Sequence, residues 1–219
     1  DYNLTGNVSL NNGVMKDDGR NKYGLGIFLS YHAIDKLILT LRAYHQQVNV
    51  KNSKYGSFSN YLLANPYDSP YDEEGNYRRS LSYNMNNPLY EASLGSFNKS
   101  ETRTETITLD ARYNFKPNLY VTAQGSYSSA RGRSDVYKSP ESNTYANITT
   151  LTQKGDYKLT NTKDDSWSAK LVGNWLNSFD DKGTMLTLNL GAEIKHQDAS
   201  SVLTEGTGFL SDDLADLAY

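Results

Sequence analysis

Residues Arg103–Phe115 read RTETITLDARYNF, and every even-numbered position in that run is polar. Thr104, Thr106, Thr108, Asp110, Arg112 and Asn114 form one set. Ile107, Leu109, Ala111, Tyr113 and Phe115 form the other. Residues two apart share a character, and residues three apart oppose each other. A helix would put positions three and four apart on one face, so the run is a β-strand with one apolar and one polar face.

Six further segments repeat the pattern. Tyr2–Leu10 sets Tyr2, Leu4, Gly6, Val8 and Leu10 against Asn3, Thr5, Asn7 and Ser9. Tyr23–Ala33 sets Tyr23, Leu25, Ile27, Leu29 and Tyr31 against Gly24, Gly26, Phe28, Ser30 and His32. Leu37–Val48, Leu119–Ser129, Ser166–Phe179 and Thr184–Gln197 alternate likewise, with Ile38 an exception. Trp167 and Trp175 share a face eight residues apart, ~26 Å along a strand. At barrel tilt this is roughly 20 Å along a membrane normal, which places one indole at each interface.

The connections alternate in length. Ile34-Asp35-Lys36, Lys116-Pro117-Asn118 and Asp180-Asp181-Lys182-Gly183 are short. Asn11–Lys22, the roughly 50 residues after Val50, the roughly 35 after Ser129 and the stretch after Gln197 are long. Outer-membrane barrels pair short periplasmic turns with long extracellular loops, whereas a soluble sandwich lacks that strict alternation. The expected fold is therefore all-β: an antiparallel transmembrane β-barrel segment with about seven to eight long strands.

Composition agrees. Only 37% of the 219 residues are hydrophobic and mean hydropathy is -0.69, yet there are 18 Tyr, 6 Phe and 2 Trp. Disordered chains lack aromatics, while a barrel strand is half polar by construction. The net charge of -3 with no basic stripe argues against nucleic acid. No Cys is present, so there is no disulfide framework. No apolar run reaches the ~20 residues of a membrane helix.

Seven strands are an odd number, and single-chain bacterial barrels use even ones. An eighth strand has two places to hide, Leu81–Leu94 and Ile148–Leu159; the second reads better as a hairpin rising above the membrane. Gly206–Tyr219 is a polar-apolar stretch with helical spacing that resembles an extracellular loop stopping in mid-course. An open arc would leave strand edges unpaired in lipid. Residues 1–219 are thus expected to be part of one barrel domain whose remaining strands lie elsewhere in a parent chain.

The first very long loop carries Asn65-Pro66-Tyr67-Asp68-Ser69-Pro70, then Tyr71-Asp72-Glu73-Glu74-Gly75-Asn76-Tyr77, then Asn87-Pro88-Leu89-Tyr90. In this order, within a barrel pattern, they resemble the SusC/RagA family of TonB-dependent outer-membrane transporters. The resemblance implies a large plugged barrel in the bacterial outer membrane, energised by the TonB complex through parts of the parent chain not present here. It implies a SusD-like surface lipoprotein as partner, and an oligosaccharide or peptide substrate. The plug domain is absent from these residues.

Candidate binding residues follow. Tyr61, Tyr67, Tyr71, Tyr77 and Tyr90 crowd one loop, where aromatic faces suit sugar rings; packing of the loop against a plug or lid is the plainer reading. Arg42, Asp110 and Arg112 on the polar faces suit a substrate path, or pair with each other. Neither a metal nor another cofactor is expected. His32, His45 and His196 lack the i, i+2 spacing of strand ligands, and no nucleophile-elbow motif supports an enzyme. Asp68, Asp72, Glu73 and Glu74 offer calcium-type oxygens, but outside the EF-hand register. The expected function is import without bond-breaking chemistry. A passive porin or other barrel, an outer-membrane enzyme and a soluble β-sandwich adhesin are the alternatives.

Overall fold

The computed structural model describes residues 1–56, 58–178 and 184–212. Within them the chain forms β1 (Tyr2–Asn12), β2 (Gly19–Ile34), β3 (Leu37–Lys51), β4 (Phe97–Lys116), β5 (Leu119–Lys138), β6 (Asp156–Ser178) and β7 (Met185–Thr207). Each strand pairs antiparallel with the next, in sequence order, as one seven-stranded sheet. Within the described residues, each of the seven segments expected from period two falls on a strand. Asp35-Lys36 and Pro117-Asn118 make two-residue turns at one end, each beside a register irregularity. The third short connection, Asp180–Gly183, lies outside the described residues. The other end carries residues 13–18, 52–96 and 139–155.

Register sorts the side chains into two continuous faces. Tyr31, Leu39, Ala111, Ala123, Leu171 and Ala192 form one cross-strand row. Leu29, Leu41, Leu109, Gly125, Ala169 and Ile194 form the next. Ile27, Ala43, Ile107, Tyr127 and Trp167 form a third, ending on His196. Because the side-chain period is two, a slip of one residue at any pairing would break all three rows.

The apolar face is the more exposed one. Along β4, Glu105, Ile107 and Leu109 are exposed, while Thr104, Thr106, Thr108 and Asp110 are half-buried. β2 and β5 repeat this. In a single-layer sheet that asymmetry is what curvature produces: side chains converge on a concave polar face and splay on a convex apolar one. Ile107, Leu109, Leu171 and Leu188 keep 50–54% of their surface exposed. A water-soluble sandwich would bury this face, and a contiguous apolar surface of this extent marks an interaction surface.

The late strands outrun the apolar belt. β4 and β5 have 20 residues each, and β6 and β7 have 23, against the ~9–11 that cross a membrane. Above Ile107, Tyr127 and Trp167 the same face turns charged. His45 Nδ1 meets Glu105 Oε1 at 3.3 Å, Arg103 pairs with Glu101, and Arg131 grips Asp165 with both nitrogens at 2.6 and 3.1 Å. At the top, Tyr137 and Tyr157 are buried against Phe97, Leu159 and Phe209.

Three expectations are corrected here. Leu81–Leu94 is no strand: it holds a 3-10 turn at Ser82–Asn84 and a short helix, named below. Ile148–Leu159 is not a separate hairpin: residues 156–159 begin β6, preceded by a 3-10 turn at Leu151–Gln153. The part that rises is the β5–β6 hairpin itself. The stretch after Gln197 continues β7 to Thr207 before Gly208–Asp212 folds back, with the backbone amides of Gly208 and Phe209 on the Lys154 carbonyl. Residues 213–219 lie outside the described residues.

Candidate functional site: a polar lumen face beneath an aromatic loop cap

The concave face is built from short hydroxyls, with charges at intervals. Thr106 Oγ1 and Ser128 Oγ lie 3.3 Å apart, as do Thr108 Oγ1 and Ser126 Oγ. These are the in-register neighbours that cross-strand pairing predicts. One step further, Arg42 pairs with Asp110, which also accepts from Gln124 Nε2 at 2.7 Å. Arg42 lies 5.9 Å from the centre of the Phe28 ring. Lys170 and Glu193 continue the Thr40–Asp110–Gln124 row in register. So the fold brings Arg42 and Asp110 together. Arg112 stands apart, its guanidinium 3.9 Å over the Tyr120 ring and its Nε donating to Asn114 Oδ1 at 3.0 Å.

Above this face the long loop 52–96 is ordered by its own motif residues. Asn87 is fully buried and caps α2 (Pro88–Ser93), its Oδ1 accepting from the Leu89 amide at 3.0 Å. Its Nδ2 donates to the carbonyls of Pro70 and Arg78 at 2.9 and 2.7 Å. Pro88 occupies the first helical turn, where a missing N–H costs nothing. Asp72 Oδ1 accepts from the amides of Glu74 and Asn76 at 3.0 and 2.8 Å, and Gly75 supplies a φ of +86°. The Tyr-Asp-x-x-Gly run is therefore a self-closed turn. Asp68 accepts from the Ser82 hydroxyl and amide. Those hydrogen bonds hold its carboxyl below the usual range, the hydroxyl contributing most. Asp68 and Asp72 are thus committed to backbone geometry.

The five loop tyrosines are not one cluster. Tyr71 and Tyr77 face each other across the turn, rings 5.1 Å apart and 26° from parallel. The Tyr55 phenol and the Lys16 ammonium, the latter 5.4 Å over the Tyr55 ring, lie within electrostatic reach of Tyr77. Lys16 comes from residues 13–18, and no spacing in the sequence links it to this loop. Tyr67 projects freely, 94% exposed. Tyr61 lies on α1 (Phe58–Leu62) with a buried hydroxyl that has no hydrogen-bond partner among the described residues, and burial pushes its phenol up. Tyr90 is half-buried beneath Arg79 and donates to the Glu141 carbonyl at 3.2 Å.

Sequence reading missed what fixes the loops to each other. Glu91 on α2 accepts from the Asn143 amide at 2.6 Å and the Ser142 hydroxyl at 2.8 Å, with Lys138 Nζ at 3.5 Å. Arg79 donates to Asn143 Oδ1 and the Glu141 carbonyl, both at 2.8 Å. Asp212 accepts from the Gly95 amide at 2.8 Å and from the Tyr137 hydroxyl at 3.1 Å. Among the described residues no three of His, Cys, Asp and Glu converge as metal ligands. His45 and His196 sit on the apolar-belt face, beside Glu105 and Trp167.

A seven-stranded up-and-down antiparallel sheet with a polar face, an exposed apolar face and long loops at one end has the form of a segment of β-barrel wall, open at both edges among the described residues. No family model and no curated protein matches the chain. Two solved structures share its fold: the RagAB peptide importer in its "closed-closed" state, and the RagAB peptide transporter. Each aligns at a TM-score of 0.74 and 19% identity over 97% of this chain. The chain spans 24% of the length of those chains, so the likeness is one of fold over about a quarter of a longer chain.

Proposed function

We propose that residues 1–219 form part of the barrel wall of a plugged, TonB-dependent importer of the SusC type in a bacterial outer membrane. The observation that carries this reading is the inverted polarity of the sheet, apolar where it is open and polar where it is enclosed. The short turns at Asp35 and Pro117 then face the periplasm and the loop cap faces outward. Tyr127 and Trp167, adjacent in register with charges immediately above, mark the outer interface. The cargo is an oligosaccharide or peptide, met by Tyr61, Tyr67, Tyr71, Tyr77 and Tyr90 at the mouth and by Arg42, Asp110 and Arg112 along the wall. The stacked Tyr71–Tyr77 pair suits a sugar ring or an aromatic side chain. A SusD-like lipoprotein closes the loop end, and the TonB complex acts through parts of the parent chain outside these residues. No bond is made or broken.

Leu109 and Thr108 are neighbours on opposite faces, so they test the reading. In the parent protein folded into bilayers, Leu109→Arg is expected to cost about 2–4 kcal/mol, the penalty for a cation at the lipid midplane. Thr108→Arg, aimed at the polar face, is expected to cost far less. If Thr108→Arg proves the costlier, the faces are assigned the wrong way round and the membrane reading falls. Cargo uptake by the parent protein should stop when the proton-motive force is collapsed; uptake that persists identifies a passive porin instead.

A further inference from the structure

The chain carries a net charge of -3, yet Lys and Arg outnumber Asp and Glu at the strand positions on the polar, lumen face. Register shows how these charges lie behind the apolar belt. One lumen row runs Arg42, Thr108, Ser126, Ser168 and Lys195. The row on its short-turn side runs Thr40, Asp110, Gln124, Lys170 and Glu193, and the row beyond that holds Arg112. Three consecutive rows thus each carry a cation, and successive rows are ~7 Å apart along the strand.

The carboxylates on this face do not cancel those cations. Asp110 is taken by Arg42 and Gln124, and Glu193 stands opposite Lys170. Asp164, two residues above Ser166, accepts from Gln197 Nε2 at 2.9 and 3.1 Å. Lys195 and Arg112 are left over. Neither has an ion pair among the described residues. The residues opposite them in register are Ser168 for Lys195, and Ile38 and Thr122 for Arg112.

We infer that this wall selects its cargo by a carboxylate. The inference rests on the importer reading and narrows its cargo to one chemistry, borne by a peptide or by a uronic-acid glycan. The floor between the cations is made of short hydroxyls. Within the Thr106–Ser128 and Thr108–Ser126 pairs either oxygen can donate, so one proton of each pair is used inside it and the other is left to donate into the lumen. Ser166 and Ser168 extend that floor by one strand. Hydroxyl donors beside ammonium groups suit a carboxylate through charge-assisted hydrogen bonds; an uncharged sugar gains nothing from the cations. The carboxylate rests on the Ser126 and Ser168 hydroxyls with Lys195 beside it. Lys195 and Lys170 are diagonal neighbours across β6 and β7, ~7–8 Å apart. Cargo is therefore passed from one ammonium to the next, and from there towards Arg112.

The test uses the full parent protein, purified in detergent for binding and expressed in cells for uptake. Two matched pairs of probes are titrated: N-acetylated pentaalanine against its C-terminal amide, and a galacturonic-acid tetrasaccharide against its methyl ester. In at least one pair the acid is expected to bind about tenfold tighter than its neutral partner, and the pair that responds identifies the carrier. K170Q/K195Q is expected to abolish that preference; both side chains are exposed, so folding is retained. Lys99→Gln, which removes a like charge from the outer face, is expected to leave the preference as it was. Acid and neutral forms that bind alike, or not at all, in both pairs overturn the inference. So does a preference that survives in K170Q/K195Q, which would assign the two lysines to another part of the parent chain. Binding with no energy-dependent uptake overturns the importer reading beneath it; energy-dependent uptake without charge preference overturns this inference alone.

Discussion

At the scale of single residues, the polar side chains of the loop cap divide between those that build it and those free to meet a ligand. Asn87 commits both amide N–H donors and its side-chain oxygen to backbone groups. Asp72 closes its own turn, leaving Tyr71 and Tyr77 stacked with their rings open to solvent. Asp68 carries a pH dependence whose sign is fixed. Two hydrogen bonds from Ser82 favour the carboxylate and depress its pKa. A depressed folded-state pKa stabilises above the ordinary Asp value of about 3.9 and is lost as pH falls through the lowered value. Hydrogen exchange over residues 66–84, corrected for intrinsic rates, is therefore expected to stay flat from neutral pH to about pH 5 and to rise below about pH 4. Asp68→Asn should abolish that acid step. An acid step that survives in Asp68→Asn would assign it to another carboxyl.

At the scale of elements, α2 couples the two long loops. Glu91 sits where it satisfies a backbone amide and a hydroxyl of residues 139–155 at once. Glu91→Ala would leave both donors unmet and is expected to cost about 1–3 kcal/mol locally. Exchange should speed up together in residues 52–96 and 139–155, with the belt portions of β4 and β5 unchanged. If only residues 87–94 respond, the loops are independent. The sequence made some elements plain and hid others for one physical reason. Period two is visible only where a face is apolar, so Ile107–Phe115, Leu119–Tyr127 and Trp167–Trp175 were legible. Above the belt both faces are polar: 97–106 reads FNKSETRTET and 156–165 reads DYKLTNTKDD. The same strands continue there with no contrast to read, which is why the rise of the β5–β6 hairpin was underestimated. The Asn-Pro-Leu-Tyr and Tyr-Asp-x-x-Gly stretches stood out as motifs, and the structure gives each a backbone task. The docking of Glu91, Arg79 and Asp212 left no trace, because each joins segments far apart in the chain and depends on their folding over one another.

At the scale of the whole molecule, the decisive feature is that the sheet has two open edges. Among the described residues β1 pairs with β2 alone and β7 with β6 alone, so one side of each presents a row of amides and carbonyls without a strand partner. Across the belt those groups would face hydrocarbon, where each unmet one costs several kcal/mol. Under the proposed membrane reading, the arc would take strand neighbours at both ends. Residues 1–219 expressed alone and offered detergent micelles or bilayers are therefore expected to give no heat-modifiable folded band, while the parent protein gives one under the same conditions. Supplying the rest of the parent barrel as a second polypeptide should restore the band, since the pairing surfaces at Tyr2–Asn12 and Met185–Thr207 then find partners. A cooperatively folding, monodisperse product from residues 1–219 in water would show that the apolar face buries itself and that the chain is a self-sufficient β-domain. Folding of the isolated segment in bilayers, without added strands, would show that the two edges meet each other, making a small closed barrel in place of a sector of a large one.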